Sequence, residues 1–319
     1  MIRFISWRVA GLVLVLLIKS FVIFTLIGLM PGDPIDLLMS ANPNMMPEDV
    51  AKLRAIYGVD EPLFSRYASW LFNALQGDFG FSRIQHRPVL DIVIPALGHT
   101  IILTGTAFIL STVIAISLGT LAAIHRGGWV DRFISLLAFL GISVPGFWLG
   151  LIFIYVFAVK FGVLPAGGMP RADQPYAPIA YLVLPCLTLV LIEIGGLTRY
   201  ARSAMIEVLS QDHIRTARAK GLSKKRIIWK HALRNAMIPI MTIIALGFGH
   251  LLSGATLIET MFGWRGMGRL IYESIMGNDY NLALVCLLFT TTMVLIGSLI
   301  ADFSYSLLDP RIRLQGGRS

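Results

Sequence analysis

The chain has 319 residues, of which 56% are hydrophobic and only 14% charged, with a net charge of +9 and a mean hydropathy of +0.74. A soluble domain carries about a quarter charged residues, so this composition excludes a surface covered wholly by water. Lipid must cover part of it, and only helices or closed barrels satisfy every backbone polar group in hydrocarbon. The apolar runs are long and continuous rather than alternating, which selects helices.

In chain order the sequence predicts six membrane spans, at about 9–30, 97–124, 133–159, 179–198, 237–258 and 281–308. Each holds roughly 20 apolar residues, enough to cross about 30 Å of hydrocarbon. The first run, Val9 to Met30, follows Arg3 and Arg8. It exceeds the roughly 7–15 residues of a signal-peptide core and is read as a retained span. Between it and the second span, Pro47-Glu48-Asp49 opens a helix with Val50, Leu53, Ile56 and Tyr57 on one face. A second helix follows Pro62, with Phe64, Tyr67, Leu71 and Leu75 at helical spacing and Gly77 at its end. These two are expected to form a small helical cap outside the membrane. The connection from Lys160 to Pro178 is rich in turn residues, and Phe262 to Gly277 suggests a short interfacial or re-entrant helix. Pro145 and Pro185 are expected to kink their spans. The resulting organisation is 1–30, a first span; 31–96, an external helical segment; 97–308, a five-helix core containing a connection at 199–236; and 309–319, a tail.

Even-numbered connections and both ends hold 17 of the 27 basic residues, which places both termini in the cytoplasm. The connection 199–236 is the extreme case. It carries Arg199, Arg202, Arg215, Arg218, Lys220, Lys224, Lys225, Arg226, Lys230 and Arg234 against Glu207 and Asp212. Such charge suits anionic lipid at the inner surface, and no aromatic stacking platform points to nucleic acid. Its internal pattern says more. Ile214, Ala217 and Ala219 give a short helix a thin, small-residue face for close approach by another surface. Gly221 suits a left-handed helix stop. Ser223 is a good N-cap for a second helix through Ile227, Ile228 and Ala232.

That segment resembles the cytoplasmic coupling region of permease subunits in bacterial ATP-binding-cassette importers, whose signature is Glu-Ala-Ala, three residues and Gly, followed by Leu-Pro. The matching positions are Arg215-Thr216-Ala217, Gly221 and Leu233-Arg234, with arginine in place of both the glutamate and the proline. These replacements resemble the first permease of the dipeptide, oligopeptide and nickel group. Further matches run along the chain: Pro31-Gly32-Asp33-Pro34, Gly77-Asp78-Phe79-Gly80, Arg87-Pro88-Val89, Gly141 to Pro145 with Phe147-Trp148, Leu164-Pro165 with Gly167-Gly168, His231 to Ala236, Gly263 to Gly268, and Asp309 to Arg313. Asn278-Asp279-Tyr280-Asn281 stands where the family usually has Arg-Asp-Tyr-Pro.

The resemblance implies an all-α, six-helix permease of the type I importer kind in the bacterial inner membrane. It would pair with a sister permease as a heterodimer, sit above two ATP-binding subunits and receive solute from a periplasmic binding protein. The coupling element would be His213, Ile214, Arg215, Thr216, Ala217, Arg218, Ala219, Lys220, Gly221 and Leu222. Di- and oligopeptides are the implied cargo, with nickel or nickel chelates, glutathione and opine-type solutes as alternatives. The chain has no Gly-x-x-x-x-Gly-Lys-Ser/Thr loop, so it is expected to be no enzyme and to bind no cofactor, with ATP and magnesium held by the partner subunits.

Lys19, Glu193, His250 and Asp302 are ionisable residues in or near predicted spans, where such groups are costly and mark pathways or paired contacts. Lys19 is a candidate for the pathway or for pairing between subunits, with simple burial against a partner helix as the alternative, and Glu193, beside Gly195-Gly196 where helices can approach or bend, is a candidate for the pathway. His250 is read as a hydrogen-bonded packing residue, and Asp302 as the partner of a basic residue at the inner face. The six histidines show no metal-ligand spacing. Cys186 and Cys286 lie in apolar stretches and read as small buried hydrophobes. A secondary transporter or channel would call for internal repeats with paired broken helices, and a membrane enzyme for a cluster of reactive groups; neither pattern is seen.

Overall fold

A computed structural model describes residues 2–29, 46, 61–170, 176–250 and 255–308; at 2–9, 248–250 and 300–308 it describes the backbone alone. Helices dominate, and they fall into two compact units: Met1–Pro95 with Leu270–Thr292, and Ala96–Arg269 with Met293–Ser319. Among the described residues, four helices are long and apolar enough to cross a membrane: α1 (Ile2–Gly28), α3 (Val89–Ile124), α6 (Ala180–Leu209) and α12 (Tyr280–Leu308).

The predicted third span, 133–159, is corrected. It is two helices, α4 (Trp129–Ser143) and α5 (Gly146–Phe153, continued by π-helical turns over Ile154–Lys160), bent by 103°. The cause is local. Proline disfavours helical geometry in the residue before it; Val144 accordingly sits at φ −90°, ψ 125°, and Pro145 starts the next helix. Pro185, by contrast, stays buried inside the continuous helix α6. The predicted span 237–258 falls on α9 (Leu233–His250) and runs into 251–254, outside the described residues. Six crossings are therefore not reached among the described residues; counting the bent pair as one span gives five.

In the first unit, α2 (Leu63–Leu75) lies on α1 through aromatic edges: the rings of Phe21 and Phe24 meet Tyr67 at 5.1 and 5.6 Å. The Tyr67 hydroxyl bonds Ser20 at 2.6 Å and reaches the Leu17 carbonyl at 3.3 Å, so its buried polar tip is satisfied. The expected inward face of α2 is thus narrower than predicted, because Phe64 and Leu75 are exposed. The first predicted cap helix, at 47–58, lies outside the described residues.

The same unit brings together two motifs about 200 residues apart. Gly77 and Gly80 turn the chain at φ +88° and +72°, and the loop that follows closes on the start of α12. Ser82 donates its hydroxyl to Asp279, and Ile84 donates its amide to the same carboxylate at 3.2 Å. Arg83 Nη2 reaches the Gly277 carbonyl at 2.6 Å. Asn281, standing where the family usually has proline, donates to the carbonyls of Phe79 and Phe81 at 2.9 and 3.1 Å, which a proline side chain could not do. Asp279 is fully buried. Asp279→Ala should therefore strand the buried Ser82 hydroxyl and the part-buried Ile84 amide and cost about 2–4 kcal/mol, read as a lower melting temperature and faster proteolysis within 77–88.

In the second unit, glycine allows helices to touch backbone to backbone, the usual device where lipid supplies no hydrophobic drive between helices. A Cβ at Gly141 would meet the Leu191 carbonyl oxygen at 2.7 Å, and one at Gly195 would strike that of Ala138, so α4 and α6 are in near contact. At Gly119 a Cβ would meet the Thr198 oxygen at 2.8 Å, joining α3 to α6. The predicted interfacial segment, Phe262 to Gly277, holds one helix, α11 (Met267–Met276), and a further short helix, α10 (Thr256–Met261), precedes it. The fully buried Glu259 sits at the α11 N-terminus, where helices leave amide donors unpaired. It accepts from the Arg269 amide at 3.1 Å and the Thr100 hydroxyl at 2.6 Å, while Thr100 accepts from the Met267 amide at 2.7 Å.

Candidate functional site

The basic connection is not a loop at its start. Helix α6 continues through Leu209, eleven residues beyond the predicted end of its span, because Ala201, Ala204, Met205 and Val208 recur at helical spacing and are all buried. The chain breaks at Ser210-Gln211, and α7 (Asp212–Ala219) begins with an acidic residue in its first turn and has Arg218 in its last, both favourable to the helix dipole.

The stop of α7 follows the Schellman pattern. Leu222 donates its amide to the Ala217 carbonyl at 3.3 Å and Gly221 donates to Arg218 at 3.0 Å, with Gly221 at φ +72°. Ser223 then caps a new turn, α8 (Lys224–Arg226), accepting the Arg226 amide at 3.4 Å. Helical turns of the wider π type carry the chain through Ile227–Ala232 into α9.

The orientation of α7 overturns one expectation. Ile214 is 0% exposed and Ala217 6%, both within an apolar cluster formed by the α6 extension, Ala123, Ile227, Ile228 and Ala232. These two residues anchor α7 to its own chain and are not the surface offered to another protein; only Ala219 of the proposed small-residue face is exposed. The reason is that an eight-residue helix is marginal alone and needs an apolar seam against a scaffold. What α7 presents outward is His213, Arg215, Thr216, Arg218, Ala219 and Lys220, with Gly221 exposed and Leu222 half-buried. His213 Nε2 also lies 3.1 Å from Asn235 Nδ2, tying α7 to the first turn of α9. Beside α7 a cleft of about 330 Å³ is lined by Ile124, Leu209, Leu222, Ile227 and Ile228, with Arg218 and Lys224 also on its wall.

One element of this platform has no signal in the spacing of the sequence. Arg202, on the α6 extension, makes a two-pronged ion pair with Asp131 in the first turn of α4, at 2.6 and 2.8 Å. Asp131 also accepts the Gly127 amide at 2.8 Å and its side chain is only 5% exposed. The pair fastens the turn between α3 and α4 to the helix that carries α7. A carboxylate at a helix start was visible in the sequence; its partner 71 residues away was not.

The intramembrane candidates separate. Glu193 lies on α6, exposed, and accepts the Ser111 hydroxyl from α3 at 2.8 Å. Lys19 is exposed on α1, in the other compact unit. The side chains of His250 and Asp302 lie outside the described residues. Sequence reasoning missed Asp131 and Glu259, and named Arg202 and Asp279 without their partners, which lie far away in the chain.

The family model described as "Binding-protein-dependent transport system inner membrane component" matches residues 115–314, and the model of its N-terminal region matches 1–104. The oligopeptide transport system permease protein AppB of Bacillus subtilis (strain 168) is 37% identical over 293 residues, covering 91% of this chain and 92% of that protein. The glutathione transport system permease protein GsiC of Escherichia coli (strain K12) is 37% identical over 314 residues, covering 98% and 99%. In fold, the chain is similar to a subunit of the MetNI methionine ABC transporter in an inward-facing conformation, with a TM-score of 0.56 and 17% identity over 69% of this chain and 97% of that one. It is likewise similar to a chain of an amino acid ABC transporter solved with histidines, with a TM-score of 0.52 and 14% identity over 66% and 92%.

Proposed function

We propose a function from one premise: the chain belongs to the binding-protein-dependent transport system inner membrane component family, in its peptide and nickel group, and is a multi-pass inner-membrane permease subunit of an ABC importer. On that premise its cargo is di- or oligopeptides, moved along a path shared with a sister permease, with both termini in the cytoplasm. The observation that carries the cargo reading is the 37% identity, over nine-tenths of the chain, to a permease named for oligopeptides. A second reading, glutathione, is favoured by equal identity over 98% of the chain; glutathione is itself a tripeptide. Nickel, nickel chelates and opine-type solutes are tested by the same assay.

The mechanism follows from α7. A short helix anchored by Ile214 and Ala217, with its basic face outward, is a handle on a stiff lever, since the α6 extension beneath it is one continuous helix. Two ATP-binding subunits closing on ATP would push this handle. Through α6 and the Asp131–Arg202 pair the push would reach α4, biasing the bundle between inward-facing and outward-facing states. Binding protein loaded with peptide would supply solute from the outer side.

The test is to reconstitute the chain with its sister permease, ATP-binding subunits and binding protein in liposomes. The binding protein is loaded in turn with di- and oligopeptides, glutathione, nickel, a nickel chelate or an opine. Peptide is expected to raise ATP hydrolysis and to appear inside the vesicles. Stimulation by nickel alone overturns the cargo reading, and stimulation by glutathione alone selects the second one.

A further inference from the structure

Helix α6 has two unlike sides at its middle. Gly195 is jammed against the Ala138 carbonyl of α4. Glu193, two residues earlier and about 200° around the helix, is on the opposite, exposed side. On that side, among the described residues, no atom lies within 4 Å of where a Cβ would stand at Gly196, and residues three apart share a helix face. Open space therefore adjoins the carboxylate. Glu193 lies about 20 Å along α6 from Ala180, deep in a helix long enough to span a membrane. A carboxylate there is expensive to turn toward hydrocarbon and marks a solute path or a paired contact.

The site is built on the protein side. Ser111 is 1% exposed and donates its hydroxyl to Glu193 Oε2 at 2.8 Å, which holds the carboxylate in place. A carboxylate offers about four acceptor positions, and among the described residues no cation pairs with Glu193. A divalent cation would need more ligands, and among the described residues no group of three His, Cys, Asp or Glu side chains stands together. An ammonium makes fewer demands: it is a compact point charge with three donors and no fixed geometry.

We propose that Glu193 is an anionic contact on the solute path that takes the protonated amino group of a peptide in transit. This rests on the peptide-importer reading above. Ser111 is its positioning residue. The carboxylate serves as a transient counter-ion where water is scarce, and release follows when the bundle changes state.

The experiment uses the complete reconstituted transporter and compares uptake of a tripeptide with that of its desamino analogue, which lacks only the amino group. Both are delivered by saturating loaded binding protein. The wild type should favour the tripeptide. Glu193→Gln keeps the shape and the Ser111 bond; it should lower tripeptide uptake about tenfold, the size expected for one charge-assisted hydrogen bond, and leave the analogue unchanged. Glu193→Asp should retain most of the preference. An unchanged preference in Glu193→Gln overturns the proposal. So does an equal loss for both solutes, or loss of complex assembly on gel filtration, which would assign Glu193 to subunit packing. A wild-type complex that carries neither peptide sinks the cargo reading instead, and that outcome is separate from the Glu193 results.

Discussion

Arg202→Ala should be among the most damaging single changes in this protein, costing about 3–5 kcal/mol. The guanidinium fork holds Asp131 at two points. Without it, a carboxylate whose side chain is 5% exposed keeps, among the described residues, only neutral donors, the Gly127 amide and the Ser135 hydroxyl. Much of the loss is the cost of leaving that charge unpaired rather than the worth of the pair. Asp131→Asn combined with Arg202→Met should therefore recover a substantial part of the stability, because no buried charge remains. Arg202→Lys should not, since an ammonium cannot reproduce the fork. Melting temperature in detergent reads all of these. A double variant as unstable as Arg202→Ala would show that the loss comes from the missing pair itself and not from a charge left buried. Transport per ATP should fall in the double variant even where the fold is recovered, because the link from α7 to α4 is gone.

The second large effect is expected at Ile214. It is 0% exposed at the centre of the cluster that seats α7, and Ile214→Ala removes methylenes and leaves a cavity, at about 2–5 kcal/mol. The loss should be local: α7 loosens, its amides exchange faster, and peptide-stimulated ATP hydrolysis falls while the helices of the bundle persist. Ala217→Trp should act in the same way by overpacking. The outward face behaves oppositely. Arg215 makes only an exposed pair with Asp212 at 3.3 Å, worth at most about 1 kcal/mol, so Arg215→Glu with Arg218→Glu should leave the melting temperature nearly unchanged while uncoupling transport from hydrolysis. Equal stability loss in the two sets of variants would mean that α7 has no distinct anchoring and docking sides. Normal coupling in the charge-reversed variant would remove the docking role.

The contrast between these two faces shows where sequence reading reaches its end. Gly221 as a helix stop, Ser223 as a cap and the short helix between Asp212 and Ala219 are local features, set by backbone dihedrals and by hydrogen bonds within six residues. They were legible, and the structure bears them out. Which side of that helix is buried depends on what lies beneath it, and that is decided by α6 running on to Leu209 and by Ile227 and Ile228 folding back. The same reason explains the third span. Its apolar length was plain, but whether a proline bends a helix or breaks it depends on its surroundings: Pro145 ends one helix, while Pro185 is absorbed within another.

By itself the sequence determined that this is a helical membrane protein with a basic connection built of short helices, because apolar length, charge placement and turn chemistry are properties of contiguous residues. It also determined the family, through motifs in a fixed order. Only the tertiary structure decided that Asp131 belongs to Arg202, that the glycine-rich turn at 77–80 belongs to Asn281, that Glu259 receives the amides of a helix start, and that Glu193 stands on the open side of α6. The first two are polar contacts between segments far apart in the chain. The cost of burying a charge or an unpaired amide makes such partners obligatory, but nothing in linear spacing says which they are.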